Sequence, residues 1–334
     1  MVTVLLPVYN GAGYLDAALA SIFGQSFKDF ELLIIDDGST DRTPEIIGAC
    51  RDERIRSIRH EGNLGLIATL NEGLGLATSK YVARMDADDV CHPRRLEMQH
   101  RFMEEHPEVG VVGTAVRLID REGRRGPTYC FPEQHDVILW ALSFVCPMAH
   151  PTVMMRRDLV MSAGGYSTSA VHAEDYDLWE RLSARTRFAN LPQALLSLRK
   201  HELSVTSQEA VRHAATVTSI STRCMSNRLG HPVNGSAAMC LMRIAPCDAE
   251  RTFEATRVLL ELYESFQPES EAARVIVRRD TALRLALLAL RGASGRARLW
   301  LSWRATRIDP YSWVCLGRRV LARITGLGAQ RLVG

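Results

Sequence analysis

Roughly the first 120 residues alternate between short apolar runs and segments with helical periodicity, and this alternation limits the fold more than any other feature. The first of these runs is continuous and β-rich, as in strands buried in a parallel sheet. The segments between them place apolar residues on one helical face. This order predicts an α/β fold with a mostly parallel sheet flanked by helices. The predicted strands are VTVLLPVY, FELLIIDDG, IRSIRH, KYVARMDADD and VGVVGTAVRLID.

Polar groups follow three of these predicted strands. Tyr9 and Asn10 come after the first strand, Asp36 and Asp37 end the second, and an acidic run at residues 86–89 ends the fourth. In open α/β sheets, ligands bind outside the carboxyl ends of the strands. The three strand ends therefore predict one binding site at that edge of the sheet.

Asp86, Asp88 and Asp89 crowd three carboxylates into four positions. Such groups repel one another and are costly to desolvate, so they require a positive partner. A D-x-D at a strand end suits Mg²⁺ or Mn²⁺, which prefer oxygen ligands. The alternative is a solvated acidic turn. Arg94 or Arg95, which follow the acids, is expected to pair with them.

The chain lacks the signatures of several other sites. It contains no G-x-x-x-x-G-K-[ST], no G-x-G-x-x-G after the first strand, no H-E-x-x-H and no C-x-x-C. Its eight scattered cysteines are interpreted as the reduced thiols of a cytosolic protein. The first strand begins near Val2 and no apolar run approaches the roughly 20 residues that span a bilayer, so neither a signal peptide nor a transmembrane helix is expected.

Taken in order, the motifs of residues 1–205 resemble the family 2 glycosyltransferases, which have the GT-A fold. The resemblance implies inverting transfer of a sugar from a nucleoside diphosphate donor, usually a UDP-sugar, with Mn²⁺ or Mg²⁺ as cofactor. The motifs are LLPVYNGAGYLDAALASIFGQSF, FELLIIDDGSTDRT, NLGLIATLNEGL, YVARMDADDVCHPRRLE, HPTVMMRR, GGY and AEDYDLWERL.

The resemblance also implies roles for particular residues. Asp175 matches the catalytic base, and Glu174 would position the acceptor or the base. Asp88 would be the direct metal ligand and Asp86 would contact the metal or the ribose, whereas His201 would contact the metal or the diphosphate. The positions that match the family's nucleotide-sugar site are Pro7, Tyr9, Asn10, Asp37, Asn63, Asn71, Asp86, Ala87 and His150.

The chemistry of inversion independently requires two separate acidic sites. A base must remove the proton of the acceptor hydroxyl on the face opposite the departing diphosphate, where charge develops. A close pair of carboxylates alone would instead suggest a glycoside hydrolase. Alternatives remain for single residues, since Asp175 lies in a helical first turn where acids are favourable. His150 is equally consistent with a local hydrogen bond, and His201 with a surface loop.

Residues 206–334 are predicted to form a helical extension with a basic tail. Of the chain's 41 basic and 38 acidic residues, nine Arg and only Asp309 lie in residues 291–334, giving this segment +8 and the rest −5. Residues 311–324 can form a basic amphipathic helix with Trp313, and Trp300 and Trp303 lie nearby. This pattern is typical of contact with an anionic membrane surface. A helix packed on its own domain or a dimer contact is the alternative.

The sequence thus predicts a cytoplasmic glycosyltransferase, peripheral at the inner face of the cell membrane, of hexosyl- or N-acetylhexosaminyl-transferase type. Its acceptor is expected to be a glycan or lipid-linked glycan in cell-surface polysaccharide synthesis, with no nucleic-acid partner. One alternative is a nucleotidyltransferase that forms nucleotide sugars, although the early loop lacks the basic residues of that class. The other is a non-catalytic module that binds a nucleotide sugar or a membrane.

Overall fold

The chain forms two compact units. Met1–Glu133 and the residues from Met148 to Arg199 belong to the first, whereas Gln134–Pro147 and the helices after Ala210 belong to the second. Residues 134–147 thus belong to the second unit, although the predicted N-terminal domain of residues 1–205 includes them. The predicted boundary at residue 205 stays a prediction. The computed structural model describes residues 1–200, 210–244, 247–293, 295–312 and 314.

The first unit is built on a sheet whose described strands follow the spatial order β3-β2-β1-β4-β8-β6-β9-β5, with β7 paired to β6. Strands β1 to β4 pair in parallel, as does β6 with β9, while β8 is antiparallel to β4 and β6. The strands are β1 (Val2–Val8), β2 (Phe30–Asp36), β3 (Ile55–Arg59), β4 (Tyr81–Arg84), β5 (Val90–Cys91), β6 (Val109–Ile119), β7 (Arg125–Tyr129), β8 (Met154–Arg156) and β9 (Arg187–Arg199).

Helices flank this sheet and supply the second unit. In the first unit, the apolar faces of helices such as α1 pack with the apolar strands into one buried core. The predicted α/β fold, with a mostly parallel sheet and C-terminal helices, is therefore confirmed. The helices are α1 (Leu15–Phe23), α2 (Thr43–Ala49), α3 (Leu66–Leu76), α4 (Arg95–Glu105), α5 (His135–Leu142), α6 (Arg157–Ser162), α7 (Glu174–Leu182), α8 (Ala210–Leu229), α9 (Gly235–Met242), α10 (Ala249–Ser265), α11 (Glu271–Arg291) and α12 (Gly295–Ile308).

Three prolines occur in the described strands, Pro7, Pro127 and Pro192, and the first and last of them lie where a missing N–H does little harm. Leu5 is the last β1 residue that pairs with β4, so Pro7 extends beyond that ladder while it still pairs with Ile35 of β2. Pro192 lies in the irregular part of β9, where the pairing with β6 skips from Leu191 to Ala194. Such an irregularity lets β9 bend without breaking the sheet.

The second unit consists of α5 and α8–α12 around its own apolar core. Asn234, Asp248 and Ser270 cap the N-termini of α9, α10 and α11 by accepting hydrogen bonds from backbone N–H groups, as these residue types commonly do. Among the described helices, none combines the length and hydropathy needed to cross a membrane.

A buried ion pair within α11 also contacts Trp140 of α5. Arg284 donates to Asp280 over 2.7 Å, and the indole nitrogen of Trp140 donates to the same oxygen, also over 2.7 Å. The guanidinium carbon lies 3.7 Å from the centroid of the Phe144 ring. These contacts explain why residues 134–147 group with the helices and why Arg284 interrupts an otherwise apolar run.

Candidate active site

The ends of β1 and β2 are joined by hydrogen bonds of Asn10. This residue adopts a left-handed conformation with φ of 51°, which asparagine tolerates well. Its side-chain oxygen accepts from the Thr40 backbone N–H over 2.8 Å, and its own N–H donates to the Ser39 hydroxyl over 2.9 Å. Tyr9 remains 49% exposed beside this junction, so its ring is available to a ligand at the carboxyl edge of the sheet.

Asp37 holds the turn that follows β3. One carboxylate oxygen accepts from the Leu64 N–H over 2.8 Å, and the other accepts from the Gly65 N–H over 2.9 Å. Gly38 has φ of 75°, and a Cβ there would lie 2.6 Å from the Gly62 carbonyl carbon. Only glycine fits so close an approach. The exposed Asn63 is thereby held beside the end of β2.

The acid loop, residues 86–89, lies beside the end of β1. A Cβ on Gly11 would come within 3.6 Å of the Ala87 Cβ, which shows how closely the two segments pack. Ligand oxygens of Asp86, Asp88 and Asp89 all lie within 4.8 Å of one another. These contacts bring the three polar strand ends together, as their positions at strand ends predict.

Arg84 supplies positive charge to the acid loop from within the protein. This last residue of β4 is only 3% exposed and forms a bidentate ion pair with Asp86, with N–O distances of 2.6 and 2.5 Å. Burial raises the pKa of Asp86, as do the neighbouring charges of Asp88 and Asp175, while Arg84 lowers it. Arg84 thus compensates part of the carboxylate repulsion that the sequence presents.

Arg199, at the end of β9, fixes the other half of the acid loop. Its backbone N–H donates to Asp89 over 2.8 Å, and its guanidinium donates to the Asp88 carbonyl over 2.8 Å. Burial, followed by the charges of Asp86 and Asp88, raises the pKa of Asp89. The loop therefore relies on protein cations for its shape.

The expected pairing of Arg94 or Arg95 with the acids is wrong. Arg94 pairs with Glu97, whereas Arg95 is buried and donates to the carbonyl of Arg84 over 2.6 Å. The reason is geometric, since α4 begins at Arg95 and directs this side chain into the core, next to Cys91.

A second acidic pair begins α7. Glu174 is buried and Asp175 is half-buried in the first turn of this helix. Burial, followed by the charge of Asp175, raises the pKa of Glu174 to about 7. The charge of Asp86 also contributes to this shift. The α7 acids and the acid loop, some ninety residues apart in sequence, are therefore close enough to affect each other's ionisation.

His150 and Tyr166 lie behind the α7 acids. The His150 Nε2 and the Tyr166 hydroxyl are 2.9 Å apart, and the His150 Nδ1 is 3.9 Å from a Glu174 oxygen. Burial and the charge of Arg84 lower the pKa of His150 well below its usual range, so the ring is neutral at physiological pH. The local hydrogen bond that the sequence left open for His150 is present.

Asn71 is predicted to lie near the donor, and its side chain is engaged with the protein. Its amide nitrogen donates to the Tyr166 carbonyl and its amide oxygen accepts from the Tyr166 N–H, both over 2.8 Å. Asn71 therefore acts on the site by holding the Tyr166 backbone. His201 lies outside the described residues.

Sequence reasoning missed Arg84 and Tyr166 as parts of the site. A long cation at the last position of a buried strand is unusual, because arginine is almost never fully buried unless it is paired. That signal identifies Arg84 directly. Tyr166 stands in the quoted GGY motif, but its hydroxyl contact with His150 joins residues from separate segments and has no local pattern.

The acids present fit a divalent cation. Three carboxylates converge, and one buried oxygen of Asp89 has no hydrogen-bond partner within the described residues. Oxygen ligands in this number suit Mg²⁺ or Mn²⁺. Both oxygens of Asp86 already contact Arg84, whereas the buried Oδ2 of Asp89 keeps acceptor capacity toward a cation.

The α/β sheet and the acid loop agree with the GT-A fold that the sequence resemblance implies. A model of glycosyl transferase family 2 matches residues 3–162. The chain is 37% identical over 205 residues to the putative glycosyltransferase EpsE of Bacillus subtilis, covering 60% of this chain and 73% of that protein. The chain belongs to glycosyl transferase family 2.

Two further similarities extend this result. The O-antigen biosynthesis glycosyltransferase WbnJ of Escherichia coli is 34% identical over 218 residues, covering 61% of this chain and 81% of that protein. The structure of S. aureus TarS 1-349 in complex with UDP-GlcNAc superposes with a TM-score of 0.58 at 21% identity, covering 95% of this chain and 91% of that one. The latter shows a shared fold. The protein is therefore a glycosyltransferase, and a nucleotidyltransferase or a non-catalytic module is not supported.

Proposed function

We propose that the protein transfers a sugar, with inversion, from a UDP-sugar to a glycan or lipid-linked glycan during cell-surface polysaccharide synthesis. The main support is the proximity of the acid loop and the α7 acids at one edge of the sheet. That arrangement separates a site for a diphosphate from a site for an acceptor hydroxyl. The named role of WbnJ in O-antigen biosynthesis and the UDP-GlcNAc bound by TarS support the acceptor and donor classes.

The residues have distinct tasks in this proposal. Tyr9, Asp37 and the segment at Asn63 bind the nucleoside. Asp88, together with Asp86 and Asp89, would hold Mg²⁺ or Mn²⁺, which neutralises the charge that develops on a leaving diphosphate.

Asp175 accepts the proton of the acceptor hydroxyl as the new oxygen–carbon bond forms at the anomeric carbon. The bond from that carbon to the diphosphate breaks on the opposite face, and its electron pair leaves with the nucleotide. Glu174 precedes Asp175 and has a pKa raised to about 7. When Glu174 is protonated, it adds no second negative charge next to Asp175. Arg84 holds Asp86 in place throughout.

The test is a screen of nucleotide sugars for metal-dependent donor hydrolysis without acceptor, followed by two variants. Asp88→Ala should abolish metal-dependent donor binding. Asp175→Asn should retain donor binding and lose transfer by roughly 10²–10⁴-fold, the usual contribution of a general base. Near-normal turnover by Asp175→Asn would show that the base is a different residue.

We further propose that the second unit contacts the anionic inner face of the cell membrane. Most of the predicted helix at residues 311–324 lies outside the described residues, but α12 offers a suitable surface. Leu299, Trp300 and Trp303 are 72%, 47% and 51% exposed on this helix. Arg304 lies over the ring of Trp300 and Arg307 over that of Trp303. Exposed tryptophans among arginines suit a membrane interface.

A further inference from the structure

The side chain of His60, directly after β3, contacts two carboxylates at once. Its Nδ1 lies 2.8 Å from an Asp37 oxygen, and its Nε2 lies 2.6 Å from a Glu72 oxygen of α3. The imidazole is 8% exposed, whereas the Glu72 side chain is 39% exposed. Neither contact belongs to the acid loop or to the α7 acids, and the catalytic proposal does not use this histidine.

These two distances indicate the protonation state of the ring. A neutral imidazole has one N–H donor and one acceptor lone pair, whereas the imidazolium has two donors. Carboxylates accept hydrogen bonds and do not donate them. A neutral His60 would therefore place the lone pair of one ring nitrogen against a carboxylate oxygen, with no hydrogen between them. Only the protonated ring satisfies both contacts. The hydrogen bond with Asp37 raises the pKa of His60, opposed by burial and reinforced by Glu72.

The other charges around the ring do not change this conclusion. Asp36 and Arg59 form their own ion pair at 3.3 Å, and the His60 backbone N–H donates to the Asp36 carbonyl over 2.9 Å. Glu61, which follows His60, is exposed. The groups that face the imidazole are therefore Asp37 from the end of β2 and Glu72 from α3.

The consequence reaches the nucleoside side of the site through Asp37. The carboxylate of Asp37 also accepts from the N–H groups of Leu64 and Gly65, which fixes the segment that carries Asn63. Loss of the His60 proton would remove one charge-assisted hydrogen bond from this set and would loosen the segment.

We propose that His60 is a positioning residue whose protonated ring orders Asp37 and residues 62–65 for the nucleoside of the donor. This inference rests on the proposed nucleotide site. Donor binding therefore weakens as the pH rises through the pKa of His60, and it is strongest below that value. The effect belongs to the binding of nucleotide, so it changes donor KM more than kcat.

The experiment measures UDP binding in the presence of Mg²⁺ by calorimetry as the pH is raised from about 6.5, the ordinary pKa of histidine. The dissociation constant of the wild-type protein should rise roughly tenfold or more, corresponding to one lost hydrogen bond to a charged group. His60→Gln should bind UDP more weakly at low pH with a smaller pH dependence. Comparing variants cancels the titration of the nucleotide itself.

Two further variants keep the test decisive. Glu72→Gln, at a half-exposed position, should move the transition to lower pH because one carboxylate no longer favours the proton. His106→Gln removes a histidine that contacts Glu108 in a more exposed pair at 3.3 Å, and it should keep the wild-type profile. An unchanged pH profile in both His60→Gln and Glu72→Gln would overturn the inference.

A third variant separates this inference from the proposed nucleotide site. If UDP does not bind, or if Asp37→Asn leaves its affinity unchanged, the proposed site is wrong and the inference falls with it. If Asp37→Asn weakens binding while His60→Gln keeps the wild-type profile, only the role of His60 is wrong.

Ring-nitrogen chemical shifts of His60 should show the imidazolium at neutral pH, and a neutral ring there would also overturn the inference.

Discussion

At the scale of single residues, the acid loop is stabilised by protein cations before any ligand arrives. Arg84 neutralises Asp86 from inside the sheet, and Arg199 binds Asp88 and Asp89 from the end of β9. A cluster of acids at a strand end is thus compatible with a folded protein, because the buried Arg84 pairs with Asp86 and the backbone N–H of Arg199 binds the Asp89 carboxylate.

Replacing Arg84 with methionine should therefore be costly. The variant leaves Asp86 without its ion pair, and we expect the free energy of unfolding to fall by roughly 2–4 kcal/mol, somewhat below the cost for a fully buried pair. Urea denaturation followed by tryptophan fluorescence measures this change. Arg42→Met, which removes a largely exposed partner of Glu45, should cost less than about 1 kcal/mol. Equal costs for the two variants would contradict this account of Arg84.

The raised pKa of Glu174 has a consequence for stability. Because its ordinary value is 4.5 and its folded value is about 7, the folded state binds more protons than the unfolded state between these values. Stability contributed by this group is therefore present at low pH and is lost as the pH rises from about 4.5 to about 7.

Glu174→Gln should remove most of this loss. We expect the variant to be more stable than the wild-type protein at pH 8 by roughly 2–3 kcal/mol and nearly equal to it at pH 4. Chemical denaturation at the two pH values measures the difference. Glu105→Gln, at an exposed position, is the control and should change neither value appreciably. If the stability of Glu174→Gln depended on pH as that of the wild-type protein does, the Glu174 carboxyl would be ionised in the folded wild-type protein.

At the scale of elements, two glycines of α3 offer a matched comparison. A Cβ on Gly73 would lie 2.2 Å from a methyl carbon of Leu5 in β1, whereas a Cβ on Gly75 would meet nothing within 4 Å. The helix therefore approaches the sheet closely at Gly73 and turns its other face to open space at Gly75.

Alanine should have opposite effects at these positions. Gly73→Ala should destabilise the protein by roughly 1–3 kcal/mol, because it overpacks the contact with Leu5. Gly75→Ala should stabilise it by roughly 0.5–1 kcal/mol through helix propensity. Thermal unfolding of both variants measures the difference, and stabilisation by Gly73→Ala would show that α3 can move away from β1.

The sequence predicts the elements of the first unit well where the signal is local. Continuous apolar runs identify β1, β2 and β6, because a strand buried on both faces needs no polar alternation. β9 was not predicted, since Pro192 interrupts its pattern and its pairing with β6 joins residues about 80 positions apart. Residues 134–147 group with the later helices through Asp280 and Arg284, which no local pattern indicates.

The residues of the candidate site, like the elements of the fold, could be predicted only where the signal is local in the sequence. The D-x-D loop and the α7 acids could be predicted because each is a short motif at an element end. The cations that hold the loop could not be assigned from spacing, and proximity in sequence wrongly favoured Arg94 and Arg95. Charge partners in a sheet are set by which strands are neighbours, and Arg199 reaches Asp89 across 110 positions.

At the scale of the whole molecule, the charge distribution is uneven. Residues 291–334 carry +8 while residues 1–290 carry −5. A segment of this kind gains on the order of 1 kcal/mol per basic residue at an anionic surface, and salt screens the gain. Binding to vesicles should therefore depend on both lipid charge and ionic strength.

The double variant Trp300→Ser and Trp303→Ser tests the contribution of α12. We expect its affinity for vesicles of phosphatidylglycerol and phosphatidylcholine to fall roughly tenfold or more, while UDP binding is unchanged. Co-sedimentation with vesicles measures the affinity. Phe253→Ser removes another exposed aromatic side chain, 74% exposed in α10, and should bind as the wild-type protein does. Equal vesicle binding by the wild-type protein and the double variant would exclude α12 from the contact.

Arg199 also determines when the acid loop can take its final shape during synthesis. Its side chain contacts the carbonyls of Asp88, Asp120 and Arg121 and lies over the ring of Tyr14. A nascent chain that ends before residue 199 has the acidic residues but lacks the group that arranges them, and contacts so distant in sequence close late. β9 must therefore leave the ribosome before the acid loop takes this shape, so the loop is completed only after most of the first unit has been translated.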